Sequence, residues 1–148
     1  MGNGRHPRRT FDRGTVDRLL ASASIEQYLD EGLVSARTLT DYLFDRMEAH
    51  DLRRADVVRA SGLNATVVYD IFSGKSRPGR DHAIMLAFGL KCTLRETQRL
   101  LRLAGVSELW CKQRRDAIII WCIRNGFDRI ATDDELYRMG EATLLPAD

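Results

Sequence analysis

Apolar residues recur every three or four positions along this chain, and nowhere do they alternate one by one with polar ones. That period matches the 3.6 residues per turn of an α-helix and excludes the period of two that a half-buried strand needs. The pattern predicts an all-α protein. Glycine punctuates it: Gly32, Gly62, Gly74, Gly89, Gly105, Gly126 and Gly140 each follow a periodic segment, the place where a helix C-terminus favours a residue that tolerates left-handed backbone.

Start signals complete the reading. A short helix is expected from Thr15 to about Ala21, and another from Ser24, where Ser24 and Gln27 have capping-box spacing, to near Gly32. Further helices are expected from about Leu39 to His50, with Leu39, Tyr42, Leu43 and Met47 on the apolar face and Phe44 at its edge, then from Arg54 to Ser61 and from Ala65 to Phe72, the last capped by Asn64. Asp81 is placed to cap a helix from His82 to Phe88, and Thr93 with Glu96 to open one that reaches Ala104. A C-terminal hairpin follows: one helix from Glu108 or Gln113 to Arg124, and one opened by a Thr132/Glu135 capping box and running to Met139. The stretch Ile118 to Ile123 is apolar nearly all round, which predicts burial on several sides or a dimer seam, with Trp110 and Trp121 as core or interface anchors.

At 148 residues the chain is long enough to bury a core without metal or disulfide staples. Its longest apolar run, Ala117 to Ile123, is far too short to span a membrane. The opening MGNGRHPRRT carries no apolar segment, so no secretory signal is expected, and His6 stands where a myristoylation motif wants Ser or Thr. Cys92, Cys111 and Cys122 are odd in number and lack metal-ligand spacing, which suits a reducing cytoplasm.

Catalytic constellations are missing from the sequence. His6, His50 and His82 are scattered, with no nucleophile beside them, and Asp133, Asp134 and Glu135 read as acids at a helix N-terminus. The string Ser73-Gly74-Lys75-Ser76 looks like the end of a phosphate-binding loop, but that motif's first glycine would fall at Tyr69, and no strand precedes it. The chain is therefore read as a non-enzyme with no cofactor and no metal.

Charge is distributed more tellingly than its net of +2 suggests. Residues 24–52 carry −5, whereas residues 53–80 carry six Lys/Arg against two Asp/Glu. A local basic segment in a nearly neutral protein suits an anion-binding face, although a merely solvated surface would look the same. Within it lie a short helix, a glycine turn, a second short helix and a basic loop with a proline. Gly62 sits four residues after Val58, as a tight turn between two closely packed helices needs.

Here the sequence resembles the phage-repressor type (Xre, or Cro/C1-type) helix-turn-helix regulators. The resemblance rests on Val57-Val58, Gly62-Leu63, Val68, Ile71, Gly74, Arg77 and Pro78, and it covers about Leu39 to Ala104, under half the chain. It implies a five-helix repressor-like domain over residues 38–105, preceded by a flexible basic tail with short helices (1–37) and followed by a C-terminal helical hairpin (106–148) that packs or dimerises. It implies a homodimeric transcriptional regulator that binds double-stranded DNA, with Ala65–Phe72 in the major groove. Asn64, Ala65, Thr66, Val67, Tyr69 and Asp70 become the candidates for base contacts; Arg53, Arg54, Lys75, Arg77 and Arg80 become those for phosphates. Arg5, Arg8, Arg9 and Arg13 in the tail are placed to add a minor-groove arm. Two departures stand out: Val58 replaces the family's usual Ala, and Phe72-Ser73 replaces a commonly acidic place. The reading face holds no Arg or Gln, so a second reading stays open, in which the same fold is a protein-interaction module or takes a protein partner through its C-terminal helices.

Overall fold

The computed structural model describes residues 38–146. The helices expected before Leu33 and the arginine-rich tail lie outside the described residues. The chain divides between Thr38 and Leu39, so everything described from Leu39 onward belongs to one unit.

That unit is all-helical, with seven helices and no strand among the described residues: α1 (Leu39–Ala49), α2 (Arg54–Ser61), α3 (Ala65–Phe72), α4 (Arg80–Gly89), α5 (Leu94–Leu103), α6 (Arg114–Arg124) and α7 (Arg129–Arg138). No helix in it is long and apolar enough to cross a membrane. Helix α4 is the central element: it packs on α2, α5 and α7, and Ala83 to Ala87 are all buried. Close approach to α2 is possible because Gly89 has no side chain. A Cβ there would lie 2.9 Å from both the Ser61 Cβ and the Val57 carbonyl oxygen. Leu43, Val68, Ile71 and Phe72 close one side of this core, and Leu100, Leu101, Ile119 and Leu136 the other.

Several local signals operate as read. Asn64 caps α3 by accepting the Val67 N–H at 2.9 Å. Thr93 and Glu96 form a reciprocal capping box at 3.0 and 3.2 Å. Two others are overridden by charge pairing. Asp81 does not cap α4, which starts one residue earlier behind Gly79; its carboxylate instead takes both Arg115 Nη groups, at 2.9 and 3.0 Å. Nor does Thr132 open α7. Asp128 is the cap, accepting the Ala131 N–H at 2.8 Å, and the Thr132 hydroxyl turns back onto the Asp128 carbonyl. Asp133 is thus no N-terminal acid. It is buried in mid-helix, paired with Arg129 at 2.6 Å, and it accepts the Leu144 and Leu145 N–H groups.

The apolar helix α6 is covered over much of its surface, with Ile118, Ile120 and Ile123 half-buried against the core. Ile119 and Cys122 are buried, whereas Trp121 is 54% exposed and Trp110, just before α6, is 44% exposed; neither tryptophan is a core anchor. Polar contacts tie down the N-terminal end of α6. Asp116 is buried and accepts two hydrogen bonds from the Arg80 guanidinium, at 3.0 and 2.7 Å, and one from the Trp110 N–H. Arg80 also donates to the Ser107 and Glu108 carbonyls. Adjacent residues of α4, Arg80 and Asp81, are therefore paired in reverse sense with adjacent residues of α6, Asp116 and Arg115.

At the other end of the domain Glu96 on α5 meets Arg46 and His50 of α1 and the turn that joins it to α2. Burial pushes its carboxyl up, but the Thr93 N–H, His50 and Arg46 together outweigh that and hold it below the usual carboxylate range.

Two predictions follow from these pairs. Asp116→Ala leaves the half-buried Arg80 guanidinium and the Trp110 N–H without their carboxylate and costs about 1–3 kcal/mol in urea unfolding, whereas a paired Arg80→Met/Asp116→Leu change recovers much of that loss; equal costs for the two would show the ion pair to be incidental. Because its folded-state value lies below the ordinary 4.5, Glu96 stabilises the fold above that pH, and the contribution disappears as pH falls through the lowered value. Glu96→Gln is accordingly less stable than wild type at pH 7, and the gap closes on acidification below about 4.5. A gap independent of pH would contradict this.

Candidate nucleic-acid interface

Helices α2 and α3 are joined by Gly62, Leu63 and Asn64. Gly62 has φ +82° and donates its N–H to the Val58 carbonyl, ending α2. The buried Ser61 hydroxyl donates to that same carbonyl and accepts the Leu63 N–H, which ties the turn from inside. Leu63 is buried and turns the chain into α3. Gly62 is constrained a second time: a Cβ there would lie 2.6 Å from Arg129 Nε. The first residue of α7 thus lies against the turn, and it could not have been picked out from spacing, since Arg129 carries the residue type that normally faces water.

Helix α3 is sharply two-sided. Val68, Ile71 and Phe72 are buried, while Ala65, Thr66 and Tyr69 are exposed, and Val67 and Asp70 sit at the margin. Asn64 is exposed, with its side-chain oxygen engaged in the cap. The Tyr69 ring is 45% exposed and lies under the Arg54 guanidinium, 5.2 Å from its centre, a cation–π arrangement that fixes Arg54 beside the outer face of α3. Arg53 is exposed at the cap of α2, and its N–H donates to Asp56.

At the far end of α3 the Asp70 carbonyl accepts the Lys75 and Ser76 N–H groups and the Ser73 hydroxyl. This folds residues 73–76 back on the helix and leaves Lys75 and Arg77 exposed. The sequence's phosphate-loop look-alike is therefore the loop that ends α3. Arg77 reaches only the Leu103 carbonyl, at 3.4 Å. Arg80 stands apart: expected at a phosphate, it is held by Asp116 and two carbonyls and belongs to the scaffold. Of the five candidate cations, Arg54 lies at the outer face of α3 over Tyr69, Arg53 adjoins it in the chain, Lys75 and Arg77 are exposed in the loop after α3 with Arg77 turned towards the end of α5, and Arg80 is engaged by the scaffold.

Other reactive groups do not converge there. No group of three or more His, Cys, Asp or Glu that could hold a metal exists among the described residues. Burial pushes the Cys92 thiol up to about 12 and raises Cys122 as well, so neither is a thiolate at neutral pH. Cys111 is the exposed one.

No protein-family model, no curated protein and no solved structure matches the chain.

The doubly constrained turn makes its own prediction. Gly74 also has positive φ, but a Cβ there would make only an ordinary contact with Thr40, at 3.6 Å. Gly74→Ala should cost about 1–2 kcal/mol of left-handed strain. Gly62→Ala should cost more, because Arg129 must also give way. Equal losses in urea unfolding would mean that α7 does not brace the turn.

Proposed function

We propose that this chain is a DNA-binding transcriptional regulator of the repressor-like helix-turn-helix type, with α1–α5 as its five-helix domain. The observation that carries this reading is the setting of α3. Its first turn emerges exposed from a tight glycine turn, its back is buried, and exposed cations come before and after it in the chain, Arg53 and Arg54 at the start of α2, with Arg54 over Tyr69, and Lys75 and Arg77 in the loop after α3. None of these four is tied to a carboxylate by a salt bridge among the described residues.

In this reading α3 lies in the major groove of double-stranded DNA. Ala65 and Val67 meet thymine methyl groups, Thr66 and Tyr69 offer hydroxyls, and Asp70 accepts from a cytosine amino group. So few hydrogen-bonding side chains leave most of the affinity to phosphates, which position the protein without reading sequence. Binding is then steeply salt-dependent, and a homodimer on two half-sites supplies the remaining affinity.

Selection of bound duplexes from a random DNA pool, at low and physiological salt, tests this. The wild type enriches a palindromic consensus. Lys75→Ala/Arg77→Ala keeps its fold, since neither side chain is buried, but binds more weakly, with a salt slope shallower by about two per bound subunit. Arg80 is unsuited to this test because its loss leaves the buried Asp116 carboxylate unpaired and so destabilises the scaffold itself. No enrichment at either salt overturns the reading. The second reading, a protein-interaction module, draws on the exposed rings of Phe44 and Tyr69 at 42% and 45%; it requires empty DNA selections together with a partner lost on Tyr69→Ala.

A further inference from the structure

Away from α3, the turn between α4 and α5 faces the turn between α6 and α7. Between them lies a cleft of about 340 Å³ whose apolar wall is Phe88, Cys92, Ile123 and Phe127. Its charged members, Lys91 and Asp128, are one of each sign, and the Asp128 carboxylate is engaged in capping α7. Beside the cleft is an open groove of about 600 Å³ that holds three arginines, Arg95, Arg102 and Arg124. The two hollows share Thr93. They also draw on neighbouring residues: Ile123 lines the cleft and Arg124 the groove, and Cys92 lines the cleft and Arg95, three residues on, the groove.

The groove carries no carboxylate in its wall. Arg102 has a partner in Glu108, at 3.1 Å, but keeps 40% of its side chain exposed. Arg95 and Arg124 are exposed and form no salt bridge among the described residues. Arg95 and Arg124 thus leave two guanidiniums without a carboxylate partner beside the apolar cleft, and a planar guanidinium matches a carboxylate by two parallel hydrogen bonds. The cleft's volume falls at the small end of ligand pockets, roughly 300–1,000 Å³. Apolar walls with a few convergent polar groups are what such pockets present.

We propose that this composite site binds a small amphipathic carboxylate, its apolar body in the cleft beside Ile123 and Phe127 and its carboxylate on Arg95 and Arg124. The site is independent of the DNA reading and is tested without DNA.

A reporter is built in. The Trp121 ring packs edge-on against Phe127, 5.3 Å between centres, and Trp110→Phe leaves Trp121 as the remaining tryptophan of the two. In the full-length Trp110→Phe chain, decanoate should change Trp121 fluorescence saturably. Adding Arg95→Ala/Arg124→Ala should weaken decanoate at least tenfold, with the urea midpoint unchanged because both side chains are exposed. 1-Decanol, the same body without the charge, should bind at least tenfold more weakly than decanoate, and inorganic phosphate should leave Trp121 unchanged. The proposal fails if decanoate gives no saturable change or if the double variant binds it as well as its parent. It fails equally if decanol matches decanoate, or if phosphate alone reproduces the signal.

Discussion

The burial of the Asp116 carboxylate governs how this protein is put together. A carboxylate taken out of water costs several kcal/mol unless its oxygens are met by donors, and here both are met, by Arg80 and by the Trp110 N–H. Arg80 in turn gathers the Ser107 and Glu108 carbonyls, so the loop between α5 and α6 is shaped around one guanidinium. The neighbouring Asp81–Arg115 pair has the opposite polarity. Sliding α6 along α4 by one turn would set both pairs out of reach and leave Asp116 buried alone. Apolar surface alone would not impose such a register, because α6 offers isoleucines on several faces and tolerates many rotations. The two pairs select one.

That selection has a consequence for the outer face of α3. With Arg80 drawn inward, the basic loop after α3 is left with Lys75 and Arg77, and Arg54 is held against Tyr69 from the other side. The face of α3 carries Ala65, Thr66 and Tyr69, with the Arg54 guanidinium over the Tyr69 ring and exposed Lys75 and Arg77 in the loop that follows. In the DNA-binding reading proposed above, affinity and discrimination are separate: cations supply the first, and a small number of hydroxyl and methyl groups the second.

The parts of this architecture written in short-range signals were legible in the sequence. The bounds of α2 and α3, the Asn64 cap, the Thr93/Glu96 box and the Gly62 turn all depend on residues within four positions of one another. The failures share a different cause. Thr132 and Glu135 have capping-box spacing, yet α7 begins at Arg129, because Asp128 offers an equally good cap and Asp133 is needed in mid-helix by Arg129 and the Leu144 and Leu145 N–H groups. Asp81 looks like a cap until Arg115 is brought beside it. Arg80 and Asp116 are thirty-six positions apart, and nothing in either residue's neighbourhood distinguishes a scaffold arginine from one that meets phosphate. The helix α3 and its exposed residues were thus legible, whereas the pairing that holds Arg80 in the scaffold was not.

The C-terminal helices complete the domain and do not stand beside it. Arg129 fills the space that a side chain at Gly62 would occupy, so the turn that sets the angle between α2 and α3 is floored by α7. Asp128, the residue before Arg129, lines the apolar cleft and caps the same helix. One peptide bond therefore separates a residue that touches the cleft from a residue that touches the turn. The N-terminus of α7 therefore serves two surfaces at once, Asp128 at the cleft and Arg129 against the turn that sets α2 and α3.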